Sequence, residues 1–350
     1  MKRLLPILLG CLILALPSCE IPFPLDQDVE PRIYLQCIGD GISIRLMPQY
    51  AVPVSAPEGS LKNLQVDMEV NGLAVAATEQ ADGSYYCSTP LKEGDLLEVS
   101  VRADGVAQAS GHTRAPSRPA VQDVKLENVQ VDTIKATQVS LTLDHAPGEG
   151  EYFGIQILAS SQVTYMDGTS EQFVNYLTPG YILSAAESGN FDLEDFVQVN
   201  YDGITLGSHG DPCPITLVTR KQFEGAVYNF YLNSFDTSIL DGIRGSMPGG
   251  NTGVIGGGII SGEVGPGTGG QPDPSKIPVS VETLYYVSFS GLSSDFYNYA
   301  KALYQSNFDF LSNMGLTPAN FTWSNITGGL GFVGAIATTR LDAIEIPQES

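Results

Sequence analysis

Val66-Asp67-Met68-Glu69-Val70-Asn71-Gly72-Leu73-Ala74-Val75 is the stretch whose reading decides the fold. Apolar Val66, Met68 and Val70 alternate with acidic Asp67 and Glu69, the period of a strand with one buried face. Asn71-Gly72 then supplies two residues that tolerate positive φ, which a tight type I′ hairpin turn requires, and an apolar run resumes after it. Outward from this hairpin the same signals repeat. Ile33–Cys37 is rich in strand formers, and Ile42, Ile44 and Leu46 alternate with Ser43 and Arg45. Asp82-Gly83 precedes Tyr85 and Tyr86, and Asp104-Gly105 joins Leu96–Ala103 to Val106–Ser110. About seven short strands at this spacing predict an N-terminal Ig-like or transthyretin-like β-sandwich over residues 32–116. Ala115-Pro116-Ser117-Arg118-Pro119 reads as its boundary.

Residues 120–350 predict a larger antiparallel β domain. Val139, Leu141 and Leu143 alternate with polar residues, Tyr152–Ala159 reads as a strand, and Asp167-Gly168 sits between two strand-like runs. Asp202-Gly203 precedes Ile204–Leu206, and Ile215–Thr219, Val227–Phe235 and Val279–Ser290 continue the strand pattern. Residues 185–196 are acidic and fit a short helix or a loop. One amphipathic helix is expected: Ser293 and Ser294 suit its cap and Asp295 its first turn, while Phe296, Tyr299, Ala300, Leu303, Tyr304 and Phe308 keep helical spacing. Gly315 and Pro318 suit its end. Residues 245–276 are rich in glycine and proline and poor in large side chains. They predict a long flexible loop, because such a composition buries too little apolar area to offset its ordering entropy.

The N-terminus carries an address. Met1-Lys2-Arg3 is a basic head and residues 4–16 are an apolar run, shorter than the roughly 20 residues that span a bilayer. Residues 1–18 therefore read as a secretory signal. Leu16-Pro17-Ser18-Cys19 places a thiol at the first mature position, the attachment point for a lipid, so membrane contact runs through Cys19. Residues 19–31 then form an acidic, proline-bearing tether. The expected location is the outer membrane, lipid-anchored and facing the cell surface, with the periplasmic face as the alternative. The formal net charge is −22, and loss of Lys2 and Arg3 with the signal takes it to −24. With no basic cluster to offset this, nucleic acid is excluded as a partner.

Other chemistry is thinly represented. Of the five cysteines, Cys11 leaves with the signal and Cys19 is lipidated, so Cys37, Cys87 and Cys213 remain. A Cys37–Cys87 disulfide and three buried reduced thiols are both open readings. Gly265–Gly270 matches G-x-G-x-x-G, but no strand precedes it and Pro272 and Pro274 follow, so it does not read as a dinucleotide site. His112, His145 and His209 fit no metal or hydrolase motif, and no G-x-S-x-G is present. No catalytic residue, metal site or cofactor is expected.

The tail holds the most distinctive constellation: Ser324-Asn325-Ile326-Thr327-Gly328-Gly329-Leu330-Gly331-Phe332-Val333-Gly334, preceded by the aromatic helix. Its glycines suit a tight turn into a last strand. The motif resembles the end of a large family of Bacteroidota outer-membrane lipoproteins known only as a domain of unknown function. The Cys19-Glu20 start, the Gly83-Ser84-Tyr85 hairpin and the central sheet agree with that resemblance, while the glycine-rich stretch and the tether depart from it. Genes of the family commonly lie beside TonB-dependent receptors. The resemblance thus implies a non-enzymatic lipoprotein that accompanies a TonB-dependent receptor or binds a small nutrient ligand. The alternatives are a fimbrial or adhesin-type structural lipoprotein and a surface glycan hydrolase.

Overall fold

The computed structural model describes residues 30–52, 59–131, 134–177, 198–199, 215–233, 278–308 and 323–345. Cys11, Cys19, Cys213, His209, the signal 1–18, nearly all of the tether, and the stretches 185–196, 202–206 and 245–276 lie outside those residues. The described part is mainly β, with several antiparallel sheets and one α-helix, as the sequence predicts. In chain order the strands are β1 (Arg32–Gly39), β2 (Ile44–Ala51), β3 (Gln65–Val70), β4 (Leu73–Ala74), β5 (Thr78–Glu79), β6 (Tyr85–Cys87), β7 (Leu96–Arg102) and β8 (Ala109–Arg114). They continue as β9 (Val121–Val131), β10 (Ile134–Leu143), β11 (Tyr152–Tyr165), β12 (Ser170–Leu177), β13 (Gln198–Val199), β14 (Ile215–Thr219), β15 (Phe223–Glu224) and β16 (Val227–Asn233). After β17 (Pro278–Leu292) come helix α1 (Ser294–Phe308), β18 (Ile326–Thr327), β19 (Leu330–Arg340) and β20 (Ile344–Glu345).

The turn chemistry acts where expected. Asn71 and Gly72 both take positive φ, at 53° and 74°, and join β3 to β4. Asp167-Gly168 closes the β11–β12 hairpin, whose register runs from Thr164 opposite Ser170 to Ile157 opposite Leu177. Two local details differ from the sequence reading. β8 begins at Ala109 rather than Val106. Ile42 is 67% exposed in a turn that the Asp40 carboxylate holds by accepting from Ile42 N and Ser43 N, so β2 begins only at Ile44.

One long sheet runs through the molecule in the order β13-β14-β11-β17-β19-β1-β2-β6-β5, with β12 also on β11 and β20 on β17. A five-stranded sheet, β18-β8-β7-β3-β4, and a four-stranded sheet, β15-β16-β10-β9, pack against it. Strand alternation shows which faces they cover. Ile33, Leu35, Val333 and Ala335 point from the long sheet into a core shared with Met68, Val99 and Val101 of the five-stranded sheet. Ile155, Ile157, Val287 and Phe289 point into a second core with Val139, Leu141 and Phe230 of the four-stranded sheet. Ala335 and Ala337 lie on one face of β19, and Ala337 pairs with Gly291, which shares the face of Phe289. Both small sheets therefore cover the same face of the long one, side by side.

The connection between the small sheets crosses that face. A Cβ on Gly291 would collide with Ser117 O, and Thr339 Oγ1 donates to Pro119 O at 2.6 Å. On the opposite face lies α1. Its Phe296, Tyr299 and Ala300 pack on Ile38, Leu217, Leu292, Phe332 and Ile336.

The sequence predicts a first sandwich over residues 32–116. In the structure β18 and β19, from the other end of the chain, complete it. β19 runs parallel to β1, from Tyr34 opposite Leu330 to Gly39 opposite Ala335. Along its other edge it pairs antiparallel with β17, from Ser288 opposite Arg340 to Leu292 opposite Ile336. Residues 32–116 and 120–345 thus share one hydrogen-bonded sheet across the predicted boundary.

Ser293 ties the helix to this seam. Its Oγ, 5% exposed by residue, accepts from Phe296 N at 3.2 Å, capping α1, and from Ala335 N at 3.0 Å. Its backbone N–H donates to Ala335 O at 2.9 Å. Ser293→Ala leaves two buried N–H groups without this acceptor, which costs about 2–4 kcal/mol by cap and hydrogen-bond energetics. Urea unfolding should show a lower midpoint with an unchanged slope; an unchanged midpoint would refute this role for Ser293.

Candidate functional site

The tail motif has a structural explanation residue by residue. Asn325 is a clamp: its Nδ2 donates to His112 O at 2.9 Å and to Val333 O at 2.8 Å, and its Oδ1 accepts from Val333 N at 2.9 Å. Ser324 Oγ donates to Gly331 O at 2.8 Å. Gly328 and Gly331 take φ of 76° and 99°, and a Cβ on either would run into a backbone oxygen, Gln108 O or Leu35 O. Phe332, fully buried, stacks on Tyr299 with ring centroids 3.9 Å apart and meets Phe296 edge-on at 6.0 Å. Beside it, Tyr34 and Tyr299 hydroxyls lie 2.5 Å apart, and Gln36 Nε2 donates to Tyr34 at 3.1 Å. Burial first, then Tyr34, pushes the Tyr299 phenol above its ordinary pKa, so it stays neutral. Trp323 is half-buried against the same cluster.

The candidate binding surface is a groove of about 540 Å³ on the outer face of the five-stranded sheet. It exists because β3, β7 and β8 alternate strictly. Met68, Val70, Leu97, Val99 and Val101 turn inward, which sends Asp67, Glu69, Glu98, Ser100, Arg102, Ser110 and His112 outward. Register sets them in rows. Glu98 stands opposite both Glu69 and His112, while Ser100 stands opposite Asp67 and Ser110, and Ser110 opposite Thr327. Asp67 is ion-paired with Arg102, which leaves Glu69 and Glu98 side by side with His112 at the end of their row. Like charges directly opposite across strands are unfavourable, so this row attracts positive charge. Glu98 and His112 also line an adjoining groove of about 410 Å³ with Thr113, Arg114, Ser294 and Asp295, where Thr113 Oγ1 donates to Asp295 at 2.7 Å. The chemistry on offer is an array of hydrogen-bond acceptors and hydroxyls on an open face. Among the described residues no group of three or more His, Cys, Asp and Glu is arranged to hold a metal ion.

Of the two open readings for Cys37 and Cys87, the structure has the reduced one: both fold into the first core as free, buried thiols, and no disulfide joins them. β2 lies between their strands and their partners on it, Leu46 and Ile44, are two residues apart, so the two cysteines are about 12 Å apart, where a disulfide needs Cα atoms within about 7 Å. Burial pushes the Cys37 thiol well above its ordinary pKa, and Cys87 Sγ donates to Thr89 Oγ1 at 3.3 Å.

The sequence reading places no role on His145. In the structure it bridges the turn between β10 and β11, with Nδ1 2.6 Å from Asp144 Oδ1 and Nε2 3.5 Å from Glu151 Oε1. Glu151 Oε2 also accepts from Gly148 N at 2.5 Å. Only pairing between a motif-free histidine and a carboxylate six residues on would have disclosed this, and spacing alone does not signal it.

The family described as a domain of unknown function (DUF4249) matches residues 20–342. The chain belongs to the DUF4249 family. None of the curated proteins matches the sequence. In this DUF4249 protein the tail constellation closes the fold: Asn325, Ile326, Phe332 and Val333 point into cores or bond the backbone, while Thr327 reaches the edge of the groove. Among the described residues no helix is long and apolar enough to cross a membrane.

Two outcomes follow from these contacts. Asn325→Ala removes three hydrogen bonds and Gly331→Ala adds a clash at positive φ; each should lower stability by about 3 kcal/mol or more, read as a lower thermal midpoint by circular dichroism. A wild-type midpoint in both variants would contradict the clamp. For His145, hydrogen bonds to Asp144 first and Glu151 second raise the pKa above the ordinary value of about 6.5. A raised folded-state pKa adds stability that is complete below the unfolded value and is lost as pH rises through the folded one. NMR titration of the His145 ring should give a midpoint above 6.5 that falls in the Glu151→Gln variant; an ordinary midpoint would contradict the bridge.

Proposed function

We propose that this DUF4249 protein is a non-enzymatic lipoprotein of the Bacteroidota outer membrane that accompanies a TonB-dependent uptake receptor, binding either the receptor or its small nutrient ligand. The observation that carries this reading is Leu16-Pro17-Ser18-Cys19 behind a basic head and a short apolar run. A diacylated Cys19 holds a protein on a membrane far better than a single chain does. The family resemblance adds the outer-membrane address and the neighbouring receptor.

The described surface agrees with binding rather than turnover. The groove offers carboxylates and hydroxyls, but among the described residues no serine or cysteine is hydrogen-bonded to His112. Glu69 and Glu98 project from an open sheet rather than from opposite walls of a cleft, which weighs against a glycan hydrolase. Against the fimbrial alternative stands the lane beside β1, which the chain's own β19 occupies.

Metabolic labelling with an alkyne-bearing palmitate tests the anchor, and purification of tagged protein from outer membranes in mild detergent tests the partner. The expected result is label on the wild type, none on Cys19→Ala, and recovery of a β-barrel receptor with the wild type. An unlabelled wild type would overturn the anchor; labelled protein recovered without any receptor would overturn the partnership.

A further inference from the structure

We draw no further inference here: the strongest candidate, the part-exposed apolar face that Leu158, Val174, Leu284 and Tyr286 form across β12, β11 and β17, carries nothing because no described residue shows what covers it.

Discussion

Each edge of β19 is hydrogen-bonded to a different half of the molecule. β1, at the start of the chain, lies parallel along one edge, and β17 lies antiparallel along the other. The two faces are used just as fully. Val333 and Ala335 fill the first sandwich, while Phe332 and Ile336 receive the helix. The first sandwich cannot be complete without this strand, because removing it opens that core and detaches the helix from its platform. The glycines follow from that crowding. Leu35 O lies where a Gly331 side chain would begin, and Ile33 O is 2.5 Å from a Cβ on Gly329. Asn325 then fixes the approach by bonding the backbone of β8 and β19 at once.

This arrangement gives the molecule a direction. β1 starts at Arg32, beside the turn that leads into β19. β17 runs away from the seam for about 45 Å, from Leu292 to Pro278, at the usual rise per residue. The polar groove lies on the sandwich that holds the start of β1, and the β11–β12 hairpin lies at the far end. The groove and the hairpin are thus two separate surfaces at opposite ends of the long sheet.

Local signals carried much of the architecture. Asn71-Gly72 announced its hairpin because positive φ at two adjacent residues is written in residue type. Ser293 announced the helix start because a cap is local. The pairing of β1 with β19 was not legible, since strand period says which face a residue takes but not which distant strand lies beside it. The same limit hid the groove: Glu69, Glu98 and His112 form a row only once three strands are placed in register. It also left the Cys37–Cys87 question open, because two cysteines on strands of one sandwich can be neighbours or two lanes apart. Ile42 misled because its alternation continued past the point where Asp40 turns the chain.

Through its two paired edges β19 joins the two sandwiches into one cooperative unit. Native-state hydrogen exchange tests it most directly, by comparing amides of β1, β10 and β19 across low denaturant concentrations. The slowest amides of all three strands should open with one common free energy and one common denaturant dependence. If β10 instead opened with a lower free energy and smaller dependence while β1 and β19 stayed closed, the two sandwiches would be independent and the claim would fail.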